Sequence, residues 1–364
     1  MHTVSLTHQL VAIQDDFDLD KIIESGQCFR PQKLSDGRYR FLSGSALLYL
    51  TPLGDGQYDA AWYGSDQEYW ADYFDLGRNY AALRCSLAGQ SSYLDKSLDF
   101  GQGIRILHQD PWEMLITFLI SQRKSIPAIR TAVEHLARCC GEPLSAEGDE
   151  VFLFPTPQQL CGLSEAQLMG CGLGYRTRYI QNAAAQASSG TLDLGALAAL
   201  PDDALFSRLL ELDGVGKKVA NCVCLFGYGR TAMAPIDVWI QRLIDEEFGG
   251  HDPFPSYDQQ AGIVQQYLFY YKRSTSRSVV HKKVKKVVDN SPFSWYNNTR
   301  RQGRHRLWGI SSAGRALAWH ARGQRFDPAI LHQKDTAQFV QCLSFLHFCC
   351  VSEKQEDERC RSEF

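Results

Sequence analysis

The sequence predicts an α+β protein: an N-terminal antiparallel sheet domain (residues 1–100), an all-helical domain (101–273) and a tail of different character (274–364). Three observations carry this. Runs at 4–13, 39–50 and 57–63 are rich in β-branched and aromatic residues, and the turn dipeptides Asp36-Gly37 and Asp55-Gly56 separate them. From Pro111 to about Lys272 apolar residues recur with helical period, broken at Pro155, Pro157, Pro201, Pro235 and Pro253. Charge then reverses. Residues 1–271 carry 20 Lys and Arg against 33 Asp and Glu, whereas 272–364 carry 18 against 8.

A chain of 364 residues is long enough for two domains. It contains no signal-like segment and no apolar run of membrane-spanning length, so it is expected to be soluble and intracellular, cytoplasmic and nucleoid-associated if the source is bacterial. Its twelve cysteines are scattered and suggest no disulfide framework. The acidic core excludes a broad basic surface as the means of binding a polyanion, so any such affinity must come from local sites.

One such site is legible between residues 212 and 237, LDGVGKKVANCVCLFGYGRTAMAPID. Gly214 and Gly216, with Val215 between them, separate the amphipathic segment 202–212 from an apolar-periodic one carrying Val219, Val223 and Phe226. They read as the turn of a helix-hairpin-helix. The second helix would point its free N–H groups and positive dipole end outward, a ready anion site needing no particular side chain. Lys218 falls in the first turn of that helix, with Cys222 one turn on along the same face. The helix N-terminus and Lys217 both disfavour a further positive charge there, and a neutral amine is a nucleophile. Asp237 follows Pro235 and precedes a new apolar run, the place of an N-cap.

The series LxGVGxK, a small-residue helix and then P-x-D resembles the helix-hairpin-helix (HhH-GPD) DNA glycosylase superfamily. Other segments are similar to its 8-oxoguanine DNA glycosylase branch: Ser25-Gly26-Gln27-Cys28-Phe29-Arg30; Gln109-Asp110-Pro111-Trp112-Glu113 with the apolar helix after it; Gly172-Leu173-Gly174-Tyr175-Arg176; and residues 261–269. The likeness covers about residues 1–273 in family order. It implies a cleft between two helical lobes and a base-excision enzyme with associated lyase activity on damaged double-stranded DNA, acting as a monomer without cofactor or metal. Lys218 would be the Schiff-base nucleophile and Asp237 the carboxylate that assists it. Gly26 would offer its carbonyl to the oxidised purine, Cys222 and Phe269 would sandwich the flipped base, and Gln265 would read its Watson–Crick edge. Tyr175 would wedge into the duplex, Arg176 would face the orphaned partner base, and Gly214, Val215 and Gly216 would hold a phosphate.

The chain departs from the family in places. Gln122-Arg123-Lys124-Ser125 stands where an Asn run is usual, and Arg123 and Lys124 are expected to contact the DNA backbone instead. Ala128 occupies the place of a second partner-reading arginine, and Trp239 that of a histidine. The cysteines after Cys224 are Cys342, Cys349, Cys350 and Cys360, about a hundred residues past Asp237 and wrongly spaced for the iron–sulfur cluster that some superfamily members carry. No cluster is expected.

Two other readings use the same residues. A monofunctional alkylpurine glycosylase would activate water with the aspartate and need no lysine. A non-catalytic helix-hairpin-helix module would bind DNA but have no use for Asp237. From residue 274 onward family likeness stops, and the segment shows neither sustained helical period nor caps. Its basic runs fit a DNA-binding tail. The preferred reading is a disordered read-through extension, because residues 308–333 back-translate, with permitted codons, into an alanine-type transfer RNA gene.

Overall fold

A five-stranded antiparallel sheet organises the N-terminal part of the chain. The computed structural model describes residues 2–289, and the side chains of 2–276. The first six strands are β1 (His2–Thr3), β2 (Thr7–Ala12), β3 (Gln32–Lys33), β4 (Tyr39–Ser43), β5 (Ala46–Gly54) and β6 (Gln57–Tyr63), of which β2 to β6 form this sheet in the order β2-β6-β5-β4-β3. The β5–β6 turn is the expected Asp55-Gly56, with both residues at positive φ (50° and 70°). The single run expected over 39–50 is in fact two strands, folded at Gly44.

Those strands alternate little between apolar and polar because both faces of the sheet are covered. On one face Phe41, Leu48 and Trp62 pack with Trp70, Tyr73 and Phe74. On the other, Leu42, Leu47 and Tyr49 meet Val4, Leu144, Val151 and Leu153. The second cover is a small sheet, β1 paired in parallel with β7 (Pro143–Ala146), itself paired with β8 (Asp149–Phe152). This hairpin corrects the expectation of helix alone beyond Pro111. Residues 67–100 are likewise helical rather than strand.

Helices α1 (Leu19–Glu24), α2 (Gln67–Tyr73), α3 (Tyr80–Leu87) and α4 (Ser92–Phe100) flank the sheet in sequence. Next come α5 (Pro111–Ser121) and α6 (Ile126–Cys140), then α7 (Pro157–Cys161), α8 (Glu165–Gly170), α9 (Thr177–Ser188), α10 (Leu194–Leu197) and α11 (Asp202–Leu210). The series closes with α12 (Lys217–Tyr228), α13 (Val238–Glu247) and α14 (Ala261–Asp289). From Trp112 on, α5 is buried at every position, as a helix apolar all round must be. It packs against α12 at the centre of the main core. Gly44 at the β4–β5 turn donates its N–H to Glu113 Oε2 at 2.9 Å, fastening the sheet to α5. Residues up to Lys285 form one compact unit.

The helical pattern does not end near Lys272: α14 continues through Arg273 to Asp289. The expectations for the remaining tail lie outside the described residues. Among the described residues no helix is long and apolar enough to cross a membrane.

Candidate active site

The expected hairpin forms between α11 and α12. Val215 closes it by donating its N–H to Leu212 O (3.0 Å) and buries its side chain in the core. Gly214 has φ +81°, and a Cβ there would lie 2.5 Å from the Tyr179 ring, so backbone conformation and space both demand glycine. Gly216 is the exposed N-cap of α12 and has open space around it. It carries no side chain to cap the first-turn N–H groups, which leaves that end fit for an anion.

Half-buried Lys218 sends Nζ to Ser121 Oγ (3.2 Å), while Ser121 donates to Phe118 O (2.8 Å). The same Nζ lies 5.0 Å from the centroid of the Phe118 ring, which is stacked on Phe226. Cys222, one turn along α12, is buried beside Lys218. Burial pushes its thiol up to about 11, opposed by Lys218 and reinforced by Asp237. The thiol therefore stays neutral at ordinary pH.

Asp237 is the N-cap of α13, its Oδ1 accepting from Ile240 N at 2.9 Å. Burial raises its carboxyl, while the Ile240 N–H, Lys218, the Trp239 N–H and Arg273 act to lower it. Lys218, Cys222 and Asp237 thus converge although nineteen residues separate the first from the last.

A second cluster gathers at Gly26. It has φ +88°, and a Cβ there would stand 2.9 Å from the Phe269 ring and 2.5 Å from Arg273 Nη1. Amide side chains hold this turn in place. Gln27 Nε2 donates to Arg105 O (2.8 Å) and Gln27 Oε1 accepts from Leu107 N (2.8 Å). Gln109 Nε2 reaches Gln27 O (3.0 Å), and Gln266 Nε2 reaches Ser25 O (2.9 Å). Gln265 lies one turn before Phe269 on α14; it is buried, and its Oε1 has no hydrogen-bond partner among the described residues. A buried acceptor left unpaired costs about 1–3 kcal/mol, which a ligand donor would recover. Arg273 joins the clusters, acting on Asp237 while lying against Gly26 and Phe269.

The residues expected to meet DNA divide. Tyr175, in a 3-10 turn (Gly174–Arg176), projects with 55% of its surface exposed. Exposed Arg123 sits at the loop after α5 with φ 51°. Arg176 departs from expectation. Its guanidinium is turned inward, donating to Leu173 O (3.2 Å) and Gln122 O and lying 4.4 Å beneath the Tyr175 ring. The Gln122 carbonyl, at the C-terminal end of α5, has no helical donor, and a five-donor guanidinium reaches it and the Leu173 carbonyl together. Lys124 is also partly engaged, its Nζ on Gly172 O at 2.8 Å. Gln122 Nε2 donates to Gly214 O at 3.1 Å, tying the loop after α5 to the hairpin.

Sequence reasoning missed Ser121, Phe118 and Arg273. The one available signal for Ser121 was a lone hydroxyl ending an otherwise apolar helix; Arg273 carried none, lying at the assumed domain boundary.

Comparison with known proteins identifies the family and the fold. Residues 9–115 match the model of the 8-oxoguanine DNA glycosylase N-terminal domain, and 116–268 that of the HhH-GPD superfamily base excision DNA repair protein. An N-glycosylase/DNA lyase of Saccharomyces cerevisiae is 34% identical over 159 residues, 40% of this chain and 42% of that protein, so this match spans less than half of the yeast relative. Among solved structures, MBOgg1 in complex with a low-affinity DNA ligand is 32% identical with TM-score 0.68, covering 75% of this chain and 100% of that one. The Clostridium acetobutylicum 8-oxoguanine glycosylase/lyase, in complex with double-stranded DNA containing cytosine opposite 8-oxoG, is 29% identical with TM-score 0.67, covering 76% and 100%.

Proposed function

Because the chain belongs to the HhH-GPD family of base-excision DNA repair proteins, in the branch with an 8-oxoguanine DNA glycosylase N-terminal domain, we propose that it removes 8-oxoguanine from duplex DNA and then cleaves the strand as a lyase. The observation that carries this reading is the meeting of Lys218 Nζ, the Cys222 thiol and the Asp237 carboxylate next to the uncapped end of α12.

A glycosidic carbon is out of reach within the base stack, so the damaged nucleotide is flipped out of the duplex. The α12 end and the Gly214–Gly216 turn take a backbone phosphate, and exposed Arg123 adds a cation beside the strand. Tyr175 fills the space that the flipped nucleotide leaves. Gly26 receives the N7–H that distinguishes an 8-oxopurine from guanine, Phe269 and Cys222 bracket the base, and the unpaired Gln265 Oε1 accepts from its Watson–Crick edge.

Lys218 attacks C1′ with its nitrogen lone pair as the C1′–N9 bond breaks and the electron pair leaves with the base. Asp237 carries a fixed negative charge beside the developing sugar cation. The C1′–O4′ bond then opens, a proton from the former amine passing to O4′, and leaves an imine at C1′ that makes a C2′ proton acidic; removal of that proton expels the 3′ phosphate. A hydrolytic alkylpurine mechanism would use Asp237 alone and leave Lys218 idle. The cysteines beyond Asp237 are too distant in sequence for a cluster, and the same reading takes the enzyme to act as a monomer.

Borohydride reduction in the presence of 8-oxoguanine duplex is expected to trap a covalent protein–DNA adduct, which Lys218→Gln abolishes. Persistent trapping in that variant would move the role to Lys217 or another amine. Release of methylated purines in preference to 8-oxoguanine would favour the alkylpurine reading.

A further inference from the structure

Arg273 lies one turn past Phe269 on α14, so the two side chains share a face. Its side chain is buried, with 5% exposure. The guanidinium stands 5.3 Å from the Phe269 ring centroid and 5.9 Å from that of Tyr270. Nη2 donates to Glu24 O at the end of α1, and Nη1 lies against Gly26. Its charge also acts on the Asp237 carboxylate and the Cys28 thiol. One cation therefore touches or senses the turn, ring and carboxylate to which the proposed reaction assigns three different tasks.

We propose that Arg273 is a positioning residue for base excision: it fixes the Phe269 ring against the Gly26 turn and ties α14 to the end of α1 through Glu24 O. This rests on the functional reading above. A planar guanidinium suits both tasks, since it can lie against a ring while donating in its own plane. Lysine would keep the charge and lose the plane.

The pH dependence separates this role from mere packing. The groups facing Asp237 are the Ile240 and Trp239 N–H groups of α13, Lys218 and the neutral Cys222 thiol of α12, and Arg273 of α14. Burial raises the carboxyl and the N–H groups and two cations oppose it. With Arg273 gone, the carboxylate that must be ionised for turnover picks up its proton at higher pH.

The test uses the full chain and single-turnover base release from 8-oxoguanine duplex across pH 5–9, with melting temperatures alongside. Arg273→Met, which keeps most of the volume, is expected to lose on the order of tenfold in rate at neutral pH and to move the acid limb upward. Arg273→Lys is expected to keep the wild-type acid limb while requiring more DNA for half-saturation. An Arg273→Met protein that matches wild type in acid limb and rate would overturn the proposal. If that variant does not fold, Arg273→Lys decides: half-saturation equal to wild type would overturn the proposal, and a raised value with the limb unmoved would support it. Wild type releasing no 8-oxoguanine would sink the functional reading instead, so the two failures are distinct.

Discussion

At the scale of the residue, Asp237 holds two positions at once, cap of α13 and charge beside Lys218. Asparagine caps a helix about as well as aspartate. Asp237→Asn should therefore leave thermal stability within about 1 kcal/mol of wild type while base release falls by about two orders of magnitude or more. Calorimetry and single-turnover assay on the same sample check this, and near-wild-type release would remove Asp237 from the chemistry. Gly214 makes the opposite case, a residue important for what it lacks. Gly214→Ala meets both a left-handed backbone and the Tyr179 ring 2.5 Å away, and should cost about 1–3 kcal/mol. Denaturant unfolding reads the loss. DNA affinity should fall with it, because the turn that presents the α12 end is displaced.

At the scale of the element, α5 links the sheet to α12, and its buried Glu113 makes that link sensitive to pH. Burial pushes the Glu113 carboxyl up to about 7, opposed by Arg30 and the Gly44 N–H and reinforced by Asp110 and Glu134. A carboxyl raised in the folded state binds a proton that the unfolded chain has released. Stability on its account is therefore greatest below the unfolded value, 4.5, and declines as pH rises towards about 7. Glu113→Gln keeps an oxygen for the Gly44 N–H and removes the titration. Melting temperature followed from pH 4.5 to 7.5 should show a shallower decline in the variant, and a variant more stable than wild type at the upper end. Parallel curves would show that Glu113 does not titrate in this window.

At the scale of the whole molecule, charge governs how the protein finds DNA. Residues 1–271 are acidic in balance, 20 basic against 33 acidic, so on the proposed function DNA affinity would rest on a few local sites: the α12 end, Arg123 and the exposed Arg178. Each neutralised phosphate contributes about −0.9 to the slope of log K against log salt. A chain ending after Asp289 should show a slope of roughly −2 to −4 and keep base-release activity. The full chain, which adds the segment beyond Asp289 with its 11 Lys and Arg against 7 Asp and Glu, allows a comparison. A much steeper slope for the full chain would make that segment a DNA-binding element.

The sequence by itself determined the parts whose chemistry is local. Glycines at a turn, a lysine in the next first turn and an aspartate before the following helix are close enough in the chain for turn and capping rules to locate them. The Asp55-Gly56 hairpin and the helical pattern from Pro111 were legible for the same reason. Tertiary structure alone decided the rest. The 143–152 hairpin was hidden because its partner, β1, lies some 140 residues earlier, and short strands paired across such a distance leave no periodicity. Arg176 reads locally as an exposed cation beside a projecting tyrosine, but carbonyls at Leu173 and Gln122 draw it inward. Arg273 looked like the last residue of a domain until α14 carried it past Gly26 and Asp237 to join the two halves of the site. Nothing local could reveal that, because its partners Glu24 and Gly26 lie some 250 residues away.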